Sequence, residues 1–230
     1  MSSMPRACLL LLLALGALAC SRSAEEDAAL VRTNRLSIFA TENANIAPGA
    51  VVFLGGSTVE RWDLAASFAT IAAARGGAKP DMRCVNRGVA DETVLELADR
   101  IATALPPEPA TVVLHAGAFD LFALNASAAS TAEQLLRILR GVRVHSAHSR
   151  IIFLPPLPSA DISDSRLEAW KETLRLVRAQ QFELAFEVRD LDSDYLLTTL
   201  SRLHAAYSSD GTHPNAAGYA VLAKLLGQLP

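Results

Sequence analysis

The chain has 230 residues, of which 51% are hydrophobic and 20% charged, and its formal net charge at pH 7 is −3. This composition excludes an intrinsically disordered chain, which requires low hydrophobicity and high net charge. It also excludes a protein that coats nucleic acid through a basic surface, so no nucleic-acid partner is expected. The length fits one large α/β domain, and we expect a monomer.

An export signal is predicted at the start of the chain. Arg6 is followed by an uncharged, leucine-rich stretch that ends near Ser21. Its apolar core is shorter than the roughly 20 residues that a membrane-spanning helix needs. Because Ala17 and Ala19 provide the small residues of a cleavage site, we predict cleavage before Cys20 and a signal peptide over residues 1–19.

A cysteine directly after such a cleavage site resembles the lipoprotein box of bacteria. The resemblance implies a lipid on Cys20 that anchors the exported protein to a membrane of the bacterial cell envelope. The alternative is cleavage by ordinary signal peptidase, which releases a soluble periplasmic or secreted protein. In either case residues 20–47 are interpreted as a tether followed by a docking helix, which ends before Pro48 and Gly49. Cys84 is predicted to be a buried, unreactive thiol.

Residues 48–230 alternate between short apolar runs of strand type and stretches of helical periodicity. The strand-type runs are Ala50 to Leu54, Met82 to Val85, Thr111 to His115, Arg150 to Leu154 and Leu184 to Arg189. The apolar positions of the helical stretches are Val94, Leu97, Ile101 and Leu105, then Leu135, Leu139 and Val142, then Leu167, Trp170, Leu174 and Val177.

Strands that are apolar on both faces and alternate with helices predict a parallel sheet that helices cover on both sides. We therefore predict a three-layer α/β/α sandwich with a five-stranded parallel sheet in flavodoxin-like order. In such a sheet, ligands bind beyond the carboxyl ends of the strands. Functional residues are expected directly after the strands.

Two segments carry side chains suited to nucleophilic catalysis. Gly55-Gly56-Ser57-Thr58 follows the first predicted strand, and its glycines permit a tight turn that exposes the Ser57 hydroxyl. Asp210 and His213 stand three residues apart, so the carboxylate can fix the imidazole tautomer and leave the other ring nitrogen for a serine. The alternative is that the first segment is a plain loop and that Asp210 caps a turn.

Four ordered blocks resemble the SGNH, or GDSL-type, hydrolase family. They are the segment around Ser57, the Asn86-Arg87-Gly88 turn, the Leu114 to Asp120 segment, and the Asp210/His213 pair. The resemblance covers roughly Pro48 to Pro230. It implies the SGNH-hydrolase fold for residues 48–230 and a serine-dependent carboxylic-ester hydrolase that needs neither cofactor nor metal. The implied substrate is an acylated sugar or lipid.

The resemblance also implies roles for individual residues. Ser57 corresponds to the nucleophile, His213 to its general base, and Asp210 to the residue that orients the base. The backbone N–H groups of Ser57 and Gly88 would hold the oxyanion of the tetrahedral intermediate. Asn86 is interpreted as a neighbour that stabilises the turn.

The sequence departs from the family pattern at three positions. Gly56 precedes the serine where the family name records aspartate, and Asp91 stands where the second block expects its last glycine. Phe119 corresponds to the asparagine of the G-x-N-D block that donates to the oxyanion, and phenylalanine has no donor. This third change leaves open a catalytically degenerate domain that binds a glycan or acyl ligand.

The surroundings of the nucleophile are predicted as follows. Phe119 and Thr58 are expected to line the substrate pocket, and either Thr58 or Asn125 could provide the missing oxyanion donor. His115 is expected to be a hydrogen-bonded histidine of the core or the pocket wall. The sequence contains no zinc pattern, phosphate-binding loop or dinucleotide fingerprint, so no cofactor or metal is expected.

Overall fold

The computed structural model describes residues 24–68, 84–191, 196–227 and 229. The predicted signal peptide, Cys20 and the beginning of the second predicted strand at Met82 lie outside these residues. The chain divides into two compact units, Met1–Arg35 and Leu36–Pro230. Among the helices that the structure describes, none combines the length and the apolar character needed to cross a membrane.

A five-stranded sheet forms the centre of the second unit. Its strands are β1 (Val51–Gly55), β2 (Cys84–Gly88), β3 (Thr111–His115), β4 (Arg150–Phe153) and β5 (Glu187–Val188). All neighbouring strands are parallel, and their order is β2-β1-β3-β4-β5. The predicted parallel sheet and its flavodoxin-like order are confirmed.

Helices flank this sheet, as the α/β prediction requires. In chain order, the helices of the described residues are α1 (Ala24–Asn43), α2 (Ser57–Glu60), α3 (Val94–Asp99), α4 (Ile101–Ala104), α5 (Ala128–His145), α6 (Asp164–Arg178) and α7 (Ala216–Leu226). A π-helix at Phe119–Ala123 follows β3, and a 3-10 turn at Ala205–Tyr207 precedes α7.

The central strands are buried along their whole length, because the helices cover both of their faces. Every residue of β1 and β3 is buried. Apolar side chains are therefore tolerated at consecutive positions, which is the pattern of a parallel sheet rather than a half-exposed one. The register places Val52 beside Val85 of β2 and Val112 of β3.

The three long helices of the second half of the domain begin at side-chain caps. Ser127 accepts a hydrogen bond from the N–H of Ser130 before α5, and Ser163 accepts one from Arg166 before α6. Asn215 accepts one from Gly218 before α7. Each cap satisfies a backbone donor that has no partner within the helix.

Helix α5 packs against α3 and α6 through one apolar face. Its buried residues are Thr131, Ala132, Leu135, Ile138, Leu139 and Val142. Their spacing of three and four places them on one side of the helix, which is the amphipathic pattern predicted from the sequence.

Some element boundaries differ from the predicted ones. The helical stretch from Val94 to Leu105 is interrupted at Arg100, whose φ of −99° and ψ of 5° lie outside the helical region and whose guanidinium binds the buried carboxylate of Glu92. β5 is shorter than predicted. The chain before it turns instead of extending, with Ala185 at a left-handed φ of 51°.

The last turn of α1 is fixed to the end of β2 by a buried arginine. Arg87 is only 1% exposed, and its guanidinium lies 4.6 Å from the centre of the buried Phe39 ring. It donates to the Glu42 carboxylate at 2.6 Å and to the Asn43 side-chain oxygen at 2.8 Å. A buried charge needs such partners, and these hold the end of the helix in place.

The burial of one face of α5 predicts that two substitutions in this helix lower the free energy of unfolding by very different amounts. Leu139→Ala removes a side chain with no exposed surface and should lower the free energy of unfolding by about 2 to 5 kcal/mol. The control Val144→Ala changes a side chain that is 89% exposed and should cost less than about 0.5 kcal/mol. Urea denaturation measures both, and equal effects would contradict this packing.

Candidate active site

The nucleophile candidate lies on a tight turn at the carboxyl end of β1. A Cβ atom on Gly55 would lie 2.0 Å from the carbonyl oxygen of His115, so only glycine fits where the two central strands approach. Ser57 follows as the first residue of α2. Its backbone N–H therefore lies among the donors at the helix start that have no partner within the helix.

The second part of the site is the loop before α7, in which Asp210 organises the backbone around His213. One carboxylate oxygen of Asp210 accepts hydrogen bonds from the N–H groups of Thr212 at 2.9 Å and His213 at 2.7 Å. The other oxygen lies 2.8 Å from Nδ1 of His213. The backbone N–H of His213, then its ring N–H and the Thr212 N–H, hold the pKa of Asp210 well below its usual range.

The fold brings these two segments into contact. Nε2 of His213 lies 3.0 Å from Oγ of Ser57, across 156 positions of sequence. Because the carboxylate accepts from Nδ1–H, Nε2 carries a lone pair and accepts the hydrogen bond from the serine hydroxyl. The three residues that the sequence singled out thus form one hydrogen-bonded chain, in which His213 can take the serine proton.

A cavity of about 320 Å³ opens beside this chain of hydrogen bonds. One part of its wall is apolar and comes from the segment after β3 and from the loop after β4. The lining residues include Ser57, Thr58, Asp91, Glu92, His115, Phe119, Phe122, Leu157, Ser159 and His213. The cavity lies at the carboxyl ends of the strands, where a parallel sheet is expected to bind its ligand.

The predicted oxyanion role of Gly88 is not supported by the structure. The N–H of Gly88 donates to the side-chain oxygen of Asn86 at 2.9 Å, and Gly88 is not among the residues that line the cavity. A Cβ on Gly88 would lie 2.2 Å from the backbone nitrogen of Glu60, so this glycine permits a close approach of β2 to α2. In the second block it is Asp91 that lines the cavity, with a left-handed φ of 55°.

Asn86 connects the same block to the nucleophile turn. Its side-chain amide donates to the carbonyl oxygen of Val59 at 2.6 Å, while its oxygen accepts from Gly88. The asparagine therefore satisfies one carbonyl at the end of α2 and one N–H at the end of β2. This arrangement agrees with its interpretation as a residue that stabilises the turn.

Phe119 and Thr58 both line the cavity that Ser57 faces. Asn125 does not line it and is exposed, with a left-handed φ of 55°. Thr58 therefore remains as a side-chain donor candidate near Ser57. The neighbouring Asp120 is buried, and its carboxylate accepts from the backbone N–H of Val94 at 3.0 Å, which joins the π-helix to the start of α3.

The remaining candidate residues, His115 and Cys84, are not arranged for proton transfer. His115 is buried in the wall of the cavity, and its Nδ1–H donates to the carbonyl oxygen of Leu154 at 3.1 Å. Burial lowers the pKa of His115 to about 4, so the ring is neutral at pH 7, and burial raises the pKa of Cys84 to about 11. Within the described residues, no group of three or more potential metal ligands is found.

Two contributors to this region were not predicted from the sequence. Glu92 lines the cavity, and Arg100 holds its carboxylate by two hydrogen bonds. Tyr219 of α7 donates its hydroxyl to the carbonyl oxygen of Thr58 at 2.9 Å. Glu92 and Arg100 lie on either side of α3, and Tyr219 occupies an ordinary position in an apolar helix. Neither the Glu92–Arg100 contact nor the Tyr219–Thr58 contact therefore has a local sequence signal.

The sequence profile of the GDSL-like lipase/acylhydrolase family matches residues 53–221, which includes every segment of the site. The chain belongs to this family. A search of curated proteins finds no match.

Solved structures of similar fold agree with this membership. One is a protein of Streptococcus pneumoniae provisionally described as a platelet activating factor, with 21% identity, 96% of this chain and 98% of that chain covered, and a TM-score of 0.70. Another is a lipase/acylhydrolase of Enterococcus faecalis, with 19% identity, coverage of 77% and 93%, and a TM-score of 0.62. A third is a mutant acetyl-xylooligosaccharide esterase of Geobacillus, with 18% identity, coverage of 77% and 92%, and a TM-score of 0.60.

The hydrogen bonds to Asp210 predict a pH-dependent contribution to stability. A carboxyl group whose pKa is lowered in the folded state stabilises the fold above its unfolded value, about 3.9, and loses this contribution as the pH falls through the folded value. The difference in Tm between the wild type and Asp210→Asn should be largest at pH 5 to 7 and should shrink below about pH 4. Thermal denaturation at several pH values measures it. A difference that grows on acidification would contradict the assignment.

Proposed function

We propose that this protein is a carboxylic-ester hydrolase that works through a Ser57-His213-Asp210 triad. The 3.0 Å contact between Ser57 Oγ and His213 Nε2 is the observation that carries the proposal. The 2.8 Å contact between His213 Nδ1 and Asp210 supports it, because a carboxylate at that position fixes the neutral tautomer and stabilises the imidazolium that forms.

In the acylation step, the Ser57 hydroxyl attacks the ester carbonyl while Nε2 of His213 takes the hydroxyl proton. The tetrahedral intermediate then expels the alcohol, which receives this proton from His213, and an acyl-enzyme remains on Ser57. Water is activated by the same nitrogen in the second half of the cycle and releases the carboxylic acid. Both half-reactions use only residues of the triad and the oxyanion donors.

The oxyanion donors differ from the predicted pair. The N–H of Ser57 at the start of α2 fits this role, because it has no acceptor within the helix. Gly88 is withdrawn, since its N–H is bound by Asn86. With Phe119 at the position of the usual asparagine, the side-chain donor is missing as well, and the loss of one such donor lowers turnover by about 10²- to 10³-fold. We therefore propose a slow enzyme.

The substrate is proposed to be an ester with a short acyl group, carried by a sugar or lipid of the cell envelope or the environment. Phe119, Phe122 and Leu157 provide apolar wall within a cavity of only about 320 Å³, which favours a small acyl group over a long one. One structurally similar protein is described as an acetyl-xylooligosaccharide esterase. Acetylated sugars are accordingly the first substrates to test.

A second candidate function is binding without efficient turnover. Phe119 is the observation that favours it, because it removes a donor from the cavity and adds an aromatic face on which a sugar ring or an acyl chain can pack. The protein would then retain the triad geometry but bind its ligand without efficient turnover.

We further propose that the protein is exported and anchored to an envelope membrane through a lipid on Cys20, with residues 20–47 as tether and docking helix. The support comes from the uncharged leucine-rich stretch and from the small residues before the cysteine. Release as a soluble periplasmic or secreted protein is the alternative, and mass spectrometry of the mature N-terminus distinguishes the two.

A serine-directed fluorophosphonate probe tests the hydrolase proposal. The wild type should be labelled on Ser57 and should hydrolyse p-nitrophenyl acetate, because His213 can deprotonate the hydroxyl. Ser57→Ala should lose both signals. Ser165→Ala, at an exposed serine in the first turn of α6, is the matched control and should keep both. Folded wild type that is neither labelled nor active would favour the binding function.

The missing donor predicts a gain of function. Phe119→Asn should raise kcat on p-nitrophenyl acetate by up to about 10²-fold, since it returns an amide donor to the cavity beside Ser57. Phe122→Asn changes another aromatic residue of the same cavity and should give no such gain. Steady-state kinetics at saturating substrate measure both variants. Unchanged or reduced turnover in Phe119→Asn would show that Phe119 does not occupy the donor position.

A further inference from the structure

The nucleophile turn is held in part by side chains from other elements, because α2 is only one turn long. The local backbone satisfies two of its carbonyl groups, since Ser57 accepts from the N–H of Arg61 at 3.0 Å and Val59 accepts from the N–H of Trp62 at 3.1 Å. The side-chain amide of Asn86 adds a second hydrogen bond to the Val59 carbonyl at 2.6 Å. The carbonyl of Thr58, directly after the nucleophile, accepts the hydroxyl of Tyr219 at 2.9 Å.

Tyr219 lies on the helix that begins just after the general base. Three contacts join the His213 loop to the start of α7 and the turn before it. The Ser208 hydroxyl donates to the carbonyl oxygen of His213 at 2.6 Å, and the N–H of Asn215 donates to that of Tyr207 at 2.8 Å. A Cβ on Gly218 would lie 2.4 Å from the Tyr207 carbonyl oxygen, so the helix is seated closely on this turn.

The side chain of Tyr219 is itself fixed. Its ring packs on Trp62, with 5.3 Å between the ring centres, and Trp62 lies two residues after the end of α2. Burial raises the pKa of Tyr219 to about 12, so at neutral pH the hydroxyl is a protonated donor. The ring sets the position of the hydroxyl, and the hydroxyl binds the turn that carries Ser57.

We infer that Tyr219 is a positioning residue, whose hydroxyl ties the Ser57 turn to the helix behind His213 and thereby sets the distance between Ser57 Oγ and His213 Nε2. The inference rests on the proposed hydrolase function. Tyr219 touches neither reacting atom. It acts through the carbonyl group of Thr58, the residue directly after the nucleophile.

The physical reason is the sensitivity of proton transfer to geometry. Ser57 and His213 belong to segments far apart in sequence, and their relative position depends on the contacts between those segments. A displacement of about 1 Å at a reacting group can lower a rate by about 10²-fold. Loss of one tethering hydrogen bond permits a smaller displacement, and we expect about a 5- to 10-fold loss of rate.

Tyr219→Phe is the test, because it removes the hydroxyl and retains the ring that packs on Trp62. The second-order rate of fluorophosphonate labelling and kcat on p-nitrophenyl acetate should each fall about 5- to 10-fold, with KM unchanged. Tyr207→Phe is the matched control, because Tyr207 contacts α7 through its backbone carbonyl, and it should react at the wild-type rate. Rates are compared per folded molecule, with circular dichroism at the assay temperature.

Two further readouts separate positioning from loss of stability. The low-field NMR signal of the His213 Nδ1 proton should persist in Tyr219→Phe, because the contact with Asp210 is untouched. The midpoint of the pH-rate profile should also stay in place while the plateau falls. A Tyr219→Phe protein that reacts at the wild-type rate per folded molecule overturns the inference. A wild type that is not labelled at all overturns the proposed function, and the inference with it.

Discussion

The contact between the Ser57 hydroxyl and the His213 imidazole is the interaction on which the whole site depends. At 3.0 Å it joins the end of the first strand to a loop near the end of the chain. Neither group is unusual by itself, since a serine hydroxyl is a poor nucleophile until a neighbouring base accepts its proton. The hydrogen bonds of Asp210 and Asn86 hold the two segments that carry these groups.

The sheet positions the Ser57 side of this contact. β1 and β3 are buried along their length, and Gly55 allows them to approach so closely that the turn after β1 has little freedom. The loop of His213 obtains its shape differently, from the hydrogen bonds that Asp210 accepts from the backbone around it. One half of the site is thus positioned by packing and the other by local hydrogen bonds.

The sheet could be predicted from the alternation of strand and helix patterns, whereas the contact between Ser57, His213 and Asp210 was predicted only through the resemblance of ordered sequence blocks to a known family. The sequence was insufficient for Gly88, since the direction of a backbone N–H depends on the dihedral angles of the loop and on the side chain of Asn86. Tyr219 was missed for a related reason. A tyrosine in an apolar helix is expected to be a core residue, and only the structure shows that its hydroxyl donates to the Thr58 carbonyl.

Pre-steady-state kinetics with p-nitrophenyl acetate test the central claim most directly. If His213 activates Ser57, acylation precedes the release of acetate, and peptide mass spectrometry of a quenched reaction should find one acetyl group on Ser57. The same adduct should be absent from His213→Ala, which keeps the serine and loses the base. An acetylated Ser57 that forms equally fast without His213, or hydrolysis without any adduct on Ser57, would contradict the account.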